Sequence, residues 1–185
     1  KFDKLLPKGK SFFTAICSDY SDIGAVCNFL IEHGVDPNTP DKDGIYPLEH
    51  AININSLDMV TSLVNNENIN YPKLRRGSTY LHLAARVDKS SILSFLLQKN
   101  KFDINSADDL GETPLMYACK SLCIENIDLL FKDENIDYLH CNKNGKDALD
   151  LFVPLSPDEK KTIKQSKDSF HDTLVSVINA IITPK

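Results

Sequence analysis

The sequence predicts an all-α fold, a solenoid of helix-turn-helix repeats with protruding hairpin loops and a C-terminal capping helix. Three observations predict it. Glycine returns at Gly9, Gly44, Gly77, Gly111 and Gly145, in steps of 35, 33, 34 and 34 residues. Four residues past each glycine stands a large apolar side chain, Phe13, Leu48, Leu81, Leu115 and Leu149. A second apolar stretch follows at residues 26–31, 59–64, 92–97 and 124–131. Such a period marks units of one supersecondary element, which cannot bury an apolar face alone and are stabilised by stacking on their neighbours. The expected domain is a stack over residues 1–155, with units starting near 9, 44, 77, 111 and 145, and a capping helix over 156–185 belonging to the same domain.

The first helix of a unit starts two residues past its glycine, where Ser11, Thr79, Thr113 and Asp147 offer an oxygen to an orphan backbone N–H. Pro47 and Pro114 suit the first helical position, where a missing N–H costs nothing. Ala51, Ala84 and Ala118 put small residues beside the large ones, so two helices can pack closely. The second apolar stretches have the spacing of a helix with one buried stripe, antiparallel to the first helix. From Ile31, Val64, Leu97 and Leu130 the next glycine lies 13, 13, 14 and 15 residues on, through Asn-, Asp-, Pro- and Gly-rich segments that suit extended turns. Past Phe152, Ser156-Pro157-Asp158-Glu159 reads as an N-cap, a first-turn proline and a capping-box acid. The helix it opens would bury Ile163, Phe170, Leu174, Val177, Ile178 and Ile181 and turn Lys160, Lys161, Lys164 and Lys167 to solvent, while Phe2, Leu5 and Leu6 cover the other end of the stack.

These residues resemble the ankyrin repeat. Its pattern of glycine, any residue, Thr-Pro-Leu-His, any residue, Ala is nearly matched by Gly111-Glu112-Thr113-Pro114-Leu115-Met116-Tyr117-Ala118. Gly77-Ser78-Thr79-Tyr80-Leu81-His82-Leu83-Ala84 departs from it at Tyr80. Asp36-Pro37-Asn38 and Asp103-Ile104-Asn105 are similar to the family's Asp-Val-Asn segment, and Asp41 and Asp108 stand three before their glycines as in the family. The resemblance covers about residues 9–152. It implies that His82 is a structural hydrogen-bonding histidine, and that the relay between repeats is incomplete where Thr14, Glu49, Met116 and Asp150 replace it. Asn38 and Asn105, each eight residues after Leu30 and Leu97, sit where such proteins are sometimes hydroxylated on asparagine.

The resemblance also implies function by binding: a non-catalytic module holding a protein or peptide through its concave face and hairpin tips, in a larger scaffold or adaptor. The family's variable positions fall on Lys42, Asp43, Ile45, Asn53 and Ile54; on Arg75, Arg76, Ser78, Arg86 and Val87; and on Asp109, Leu110, Glu112, Lys120 and Ser121. Three arginines in the middle set, with Ile45, Ile54, Leu74 and Leu110 expected to be exposed on the same strip, suit a partner carrying acidic and apolar residues. The alternative is a regulatory or targeting domain of a larger enzyme whose catalytic part lies outside this segment. The chain begins at Lys1 rather than Met, as an excised segment would.

Composition narrows the rest. A net charge of −5 argues against wholesale nucleic-acid binding, which relies on a strongly basic face. No apolar run reaches the roughly 18 residues of a membrane span, and residues 1–10 lack the core of a signal peptide. The five cysteines, Cys17, Cys27, Cys119, Cys123 and Cys141, lack the tight spacing of a disulfide scaffold, so they are read as reduced thiols of a monomer in the cytosol or nucleus. No phosphate loop, dinucleotide fingerprint or HExxH pair occurs, so no catalytic residue, metal or cofactor is expected. Cys119 and Cys123 with His140 and Cys141 could be drawn as a zinc site, but Cys119 holds the small-residue position of Ala85 and reads better as a core thiol. Cys141 beside His140 is a poor nucleophile–base pair, because neighbours in an extended segment face opposite ways.

Overall fold

A computed structural model of the protein describes residues 23–87, 90–152 and 156–183; the readings on Phe2, Leu5, Leu6, Gly9, Ser11, Phe13, Thr14 and Cys17 fall outside these. The described residues form helices and turns without a strand, in two compact units, Lys1–Pro72 and Lys73–Lys185.

In the first unit, α1 (Ile23–Glu32) and α2 (Pro47–Asn53) both pack on α3 (Leu57–Val64). Pro47 opens α2 and is buried with Leu48. Three residues separate α2 from α3, so the chain reverses there; Asn55 takes the left-handed conformation and the Ser56 hydroxyl accepts the Met59 N–H at 3.3 Å. Gly24 lets α1 come close to α3, since a Cβ on it would lie 3.1 Å from the Asp58 Cβ. Cys27, Leu30, Leu48, Ala51, Ile52, Met59, Val60 and Leu63 form the core between the three helices.

The second unit repeats this arrangement. Helices α4 (Tyr80–Arg86) and α6 (Pro114–Lys120) lie side by side, α5 (Ser90–Gln98) and α7 (Ile124–Phe131) form the layer behind them, and α4 packs on α5 as α6 packs on α7. Leu81, Ala84, Ala85, Leu115, Ala118 and Cys119 supply the close contact of the front helices, against Ile92, Leu93, Leu96, Ile127 and Leu130 behind. The expected Thr113 cap does not form: Thr113 is buried and makes no capping bond, so α6 starts on Pro114 alone. At α7 the apolar register is broken by Asn126, which is fully buried where Ile92 stands one repeat earlier. Its amide nitrogen donates to the carbonyls of Ala85 and Val87, each at 2.9 Å, and of Ala84 at 3.3 Å. A helix leaves its last carbonyls without intrahelical donors, and here the next repeat supplies one to the end of α4.

The fifth unit departs from the pattern. Asp147 caps a short 3-10 turn, Leu149–Leu151, accepting the N–H groups of Leu149 and Asp150 at 3.0 and 2.9 Å. The single expected terminal helix is two, α8 (Pro157–Ile163) and α9 (Lys167–Ile182). Ser156 and Glu159 form the capping box of α8, and the Ser166 hydroxyl caps α9 by accepting the Ser169 N–H at 3.0 Å. Phe170, Leu174 and Ile178 are buried as expected and α9 packs on α7, with the Phe170 ring 6.3 Å from Phe131 and 5.2 Å from Tyr138. Other readings of this segment are corrected: Ile163 and Val177 are only half-buried. Ile181 is 47% exposed, because α9 runs past the end of its supporting helix. Lys164 and Lys167 do not face solvent: Lys164 forms an ion pair with the buried Asp147, and Lys167 donates to the Asp133 carbonyl at 2.7 Å.

Asp147 is wholly buried, so removing its cation leaves an uncompensated charge in the interior. Lys164→Met is expected to destabilise the protein by about 3 kcal/mol, against a negligible effect of the exposed Lys161→Met, measured by urea unfolding; equal effects would remove this role for Lys164.

Candidate functional site

Three turns of the second unit, each centred on a repeat glycine, carry its exposed tips. In two of them an Asx side chain organises the backbone: Asp108 Oδ1 accepts the N–H groups of Leu110 and Glu112 at 2.8 Å, and Asn142 Oδ1 those of Asn144 and Lys146 at 3.0 and 3.1 Å. Asp41 does the same for Asp43 and Ile45 in the first unit. Leu74 stands at this position in the remaining turn and has no acceptor to offer. There the Ser78 hydroxyl donates to the Arg75 carbonyl at 3.0 Å, and Arg76 is held in the left-handed region at φ 59°. That conformation costs an L-residue roughly 1–2 kcal/mol.

The second and third of these tips each rest on the one before. The Asp109 N–H donates to the Arg76 carbonyl at 2.8 Å, and the Lys143 N–H to the Leu110 carbonyl at 3.0 Å. Glycine makes this approach possible: a Cβ on Gly77 would lie 2.5 Å from Asp109 Oδ1, and one on Gly111 would lie 2.9 Å from the Lys143 nitrogen. Both glycines also have positive φ, at 69° and 76°.

Beneath the tips lies a buried polar network. His82 Nδ1 accepts from the Thr79 N–H and hydroxyl at 3.0 and 2.8 Å, which leaves the proton on Nε2 to donate to the Glu112 carbonyl at 2.9 Å. Tyr117 sets its ring edge-on to His82, 5.0 Å between centroids, and donates its hydroxyl to Asp108 Oδ2 at 2.9 Å. The Glu112 carboxylate pairs with Lys120. Burial lowers the His82 pKa, opposed by the Glu112 carbonyl and Asp108. Burial also raises Tyr117, to about 12 with the help of Asp108, so its hydroxyl stays a donor. Burial alone would raise Asp108, but the N–H groups of Glu112 and Leu110 and the Tyr117 hydroxyl hold it below its ordinary value. The side chains of His82, Tyr117 and Asp108 are engaged with one another and with the backbone, and they fix the turn that carries Asp109 and Leu110.

Of the residues read as partner-binding, Arg75, Arg76, Arg86, Asp109, Leu110 and Lys120 are exposed, and Val87 and Ser121 half-buried, in the second unit. Lys42, Asp43, Asn53 and Ile54 are exposed and Ile45 half-buried in the first. Ser78 and Glu112 are buried and engaged, so neither offers its side chain to a partner. Leu74, expected on the surface, is buried as well, because without an Asx role its side chain packs inward. Of the apolar residues expected on this strip, Ile54 and Leu110 are exposed, at 40% and 49%. Lys143 was missed, although it stands two before Gly145 as Arg75 stands two before Gly77. Tyr117 was missed too, and nothing local marks it, since its role depends on Asp108 and His82.

The residues weighed for chemistry do not converge. Cys119 and Cys123 are buried, and burial raises the Cys119 thiol. Cys141 is exposed, while His140 Nε2 bonds the Gly111 carbonyl at 3.1 Å. Among the described residues no three His, Cys, Asp or Glu side chains come together as a metal would need. Asn38 and Asn105 spend their amides on the following repeat: Asn38 donates to the Asn68 carbonyl and accepts from the Asn70 N–H, and Asn105 does the same with Asn135 and Asp137, all at 2.7–2.8 Å.

Paired helices at this period, glycine-centred turns and a histidine relay between repeats define a helical repeat protein. The family described as ankyrin repeats (3 copies) matches residues 12–108 and 68–147, and the chain belongs to the ankyrin repeat family. It is 30% identical to the putative ankyrin repeat protein R96 of Acanthamoeba polyphaga mimivirus over 136 residues, 72% of this chain and 13% of that protein. It is 33% identical to ankyrin repeat domain-containing protein 37 of Mus musculus over 101 residues, 55% of this chain and 62% of that protein. To neurogenic locus notch homolog protein 1 of Homo sapiens it is 29% identical over 129 residues, 67% of this chain and 5% of that protein. The chain thus spans less than two thirds of each of these relatives. Ankyrin repeats are in general protein–protein interaction modules without catalytic activity. Among the described residues no helix is long and apolar enough to cross a membrane.

A lowered His82 pKa means that the unfolded chain takes up a proton which the folded one refuses. The contribution of His82 is therefore complete above its unfolded value of 6.5 and is lost as pH falls below it towards the folded value. The stability gap between the wild type and His82→Gln, from urea unfolding at about pH 7.5 and about pH 5, is expected to narrow at the lower pH; a constant gap contradicts the neutral Nε2–H assignment.

Proposed function

We propose that the chain is a non-catalytic binding module, part of a larger scaffold or adaptor, whose second unit grips a partner protein or peptide through its turn tips and the C-terminal ends of α4 and α6. The observation that carries this is the exposure of Arg75, Arg76 and Leu110 on turns tied to one another by backbone hydrogen bonds, with Arg86 exposed at the C-terminal end of α4. Arginine presents several donors on a flat, weakly hydrated group and is favoured at interface centres. A tip already ordered in the free protein has less entropy to lose on binding. An exposed leucine between charged residues has no evident role in folding. A partner with acidic and apolar residues matches this surface. Unpaired thiols at Cys119 and Cys141 support a reducing, intracellular compartment.

The test is affinity capture with the protein and with its Arg75→Glu, Arg76→Glu, Arg86→Glu triple variant, alongside thermal unfolding of both. Unfolding is expected to stay within a few degrees and capture to fall by about tenfold or more, since several interface charges are reversed at once. Undiminished capture would move the binding surface elsewhere.

A further inference from the structure

The tip row of the second unit has a charge order that the overall composition hides. The chain carries −5, yet the tips before Gly77, Gly111 and Gly145 are Arg75-Arg76, Asp109-Leu110 and Lys143-Asn144, three cations against one anion. The one anion is turned back: Asp109 Oδ1 lies over Gly77, where a Cβ would stand 2.5 Å from it. Leu110 is the apolar side chain of the central tip, 49% exposed beside the exposed Asp109, and Arg76 and Lys143 on the flanking tips are exposed as well. Backbone hydrogen bonds fix this order, from Asp109 N–H to Arg76 and from Lys143 N–H to Leu110. Backbones joined in this way lie about 4.8 Å apart, and the two bonds together with the one-residue step from Asp109 to Leu110 place Arg76 and Lys143 on the order of 10 to 13 Å from each other, the length of about three to four extended residues.

We infer that this row is a docking line for an acidic linear peptide in which one large apolar side chain lies between two carboxylates. The guanidinium of Arg76 takes one carboxylate through paired N–H donors, the Lys143 ammonium takes the other, and Leu110 meets the apolar side chain. The inference rests on the binding function proposed above and adds Lys143 and the partner's charge order to it. Nucleic acid suits the row less well, because Leu110 occupies its centre and a repeating phosphate backbone has no use for an apolar contact there.

The experiment uses the whole chain and a fluorescein-labelled peptide containing Asp-Leu-Ser-Asp in a Gly-Ser frame, with its Asn-Leu-Ser-Asn isostere and a single-stranded oligothymidine as comparisons. Fluorescence anisotropy is expected to show the aspartate peptide binding about tenfold more tightly than the isostere, and weakening as salt rises from about 50 to about 300 mM. Arg76→Glu and Lys143→Glu are each expected to weaken it by about tenfold and flatten the salt response. Leu110→Ser is expected to weaken it about fivefold and leave the salt response intact. All three residues are exposed, so circular dichroism melts should coincide with the wild type. Equal binding of both peptides, no binding of either, or indifference to Leu110→Ser and Lys143→Glu overturns the inference. Oligothymidine binding that Leu110→Ser leaves unchanged replaces the peptide with a polyanion and overturns it too. If partner capture depends on Arg86 while Arg76, Leu110 and Lys143 are silent, the docking line fails and the binding function stands; if nothing is captured at all, both fail.

Discussion

The fold depends on one constraint, that backbone donors and acceptors outside helices must be satisfied before the turns carrying them can be rigid. Neighbouring repeats satisfy them for one another. Asn38 and Asn105 each close two bonds to the following turn, one as donor and one as acceptor. His82 and Asn126 serve backbone carbonyls of adjacent repeats in the second unit. An exchange of this kind is worth about 1 kcal/mol per bond in net stability, but leaving a buried carbonyl unpaired costs more. Asn126 shows both sides of that balance: its amide nitrogen serves three carbonyls at the end of α4, where an isoleucine would serve none, while its own Oδ1 is buried without a hydrogen bond among the described residues.

The same exchange shapes the exposed surface. Tips that hydrogen-bond to their predecessors must approach them closely, and at Gly77 and Gly111 there is no room for a side chain. Arg76 takes a left-handed conformation although it is not glycine, and the carbonyl so presented receives the Asp109 N–H. Strain at such a residue persists only where the surroundings determine it. The buried network of His82, Tyr117, Asp108, Glu112 and Lys120 then holds the next turn from below. Order in the tips is thus built into the repeat itself and does not wait for a partner.

Much of the fold was legible because it is written in local periodicity. Glycine spacing, the apolar residue four places on and the second apolar stretch locate α2 to α7, and Asp41 and Asp108 announce their turns. What stayed hidden was non-local or opposite in sense to a positional rule. Counting from the glycine put Leu74, Ser78 and Glu112 on the surface, but the offset says nothing of direction, and each turned inward once its neighbours were in place. Lys164 looked like a solvated lysine until Asp147, 17 residues earlier, proved to be a buried carboxylate in need of a cation. The break between α8 and α9 was readable in principle, since Ser166 stands three before the Ser169 N–H it caps. On the candidate surface, Arg76 and Leu110 were legible from the repeat offsets, whereas the placement of the Asp109 carboxylate over Gly77 was not.

Amide hydrogen exchange at the tips tests the mutual support of repeats most directly. If the tips are fixed by their neighbours, the N–H groups of Asp109 and Lys143 should exchange far more slowly than an unstructured chain although both residues are exposed, with opening energies near those of the α4 and α6 amides. Exchange at the unstructured rate would contradict the account, because the tips would then be ordered only by what they bind.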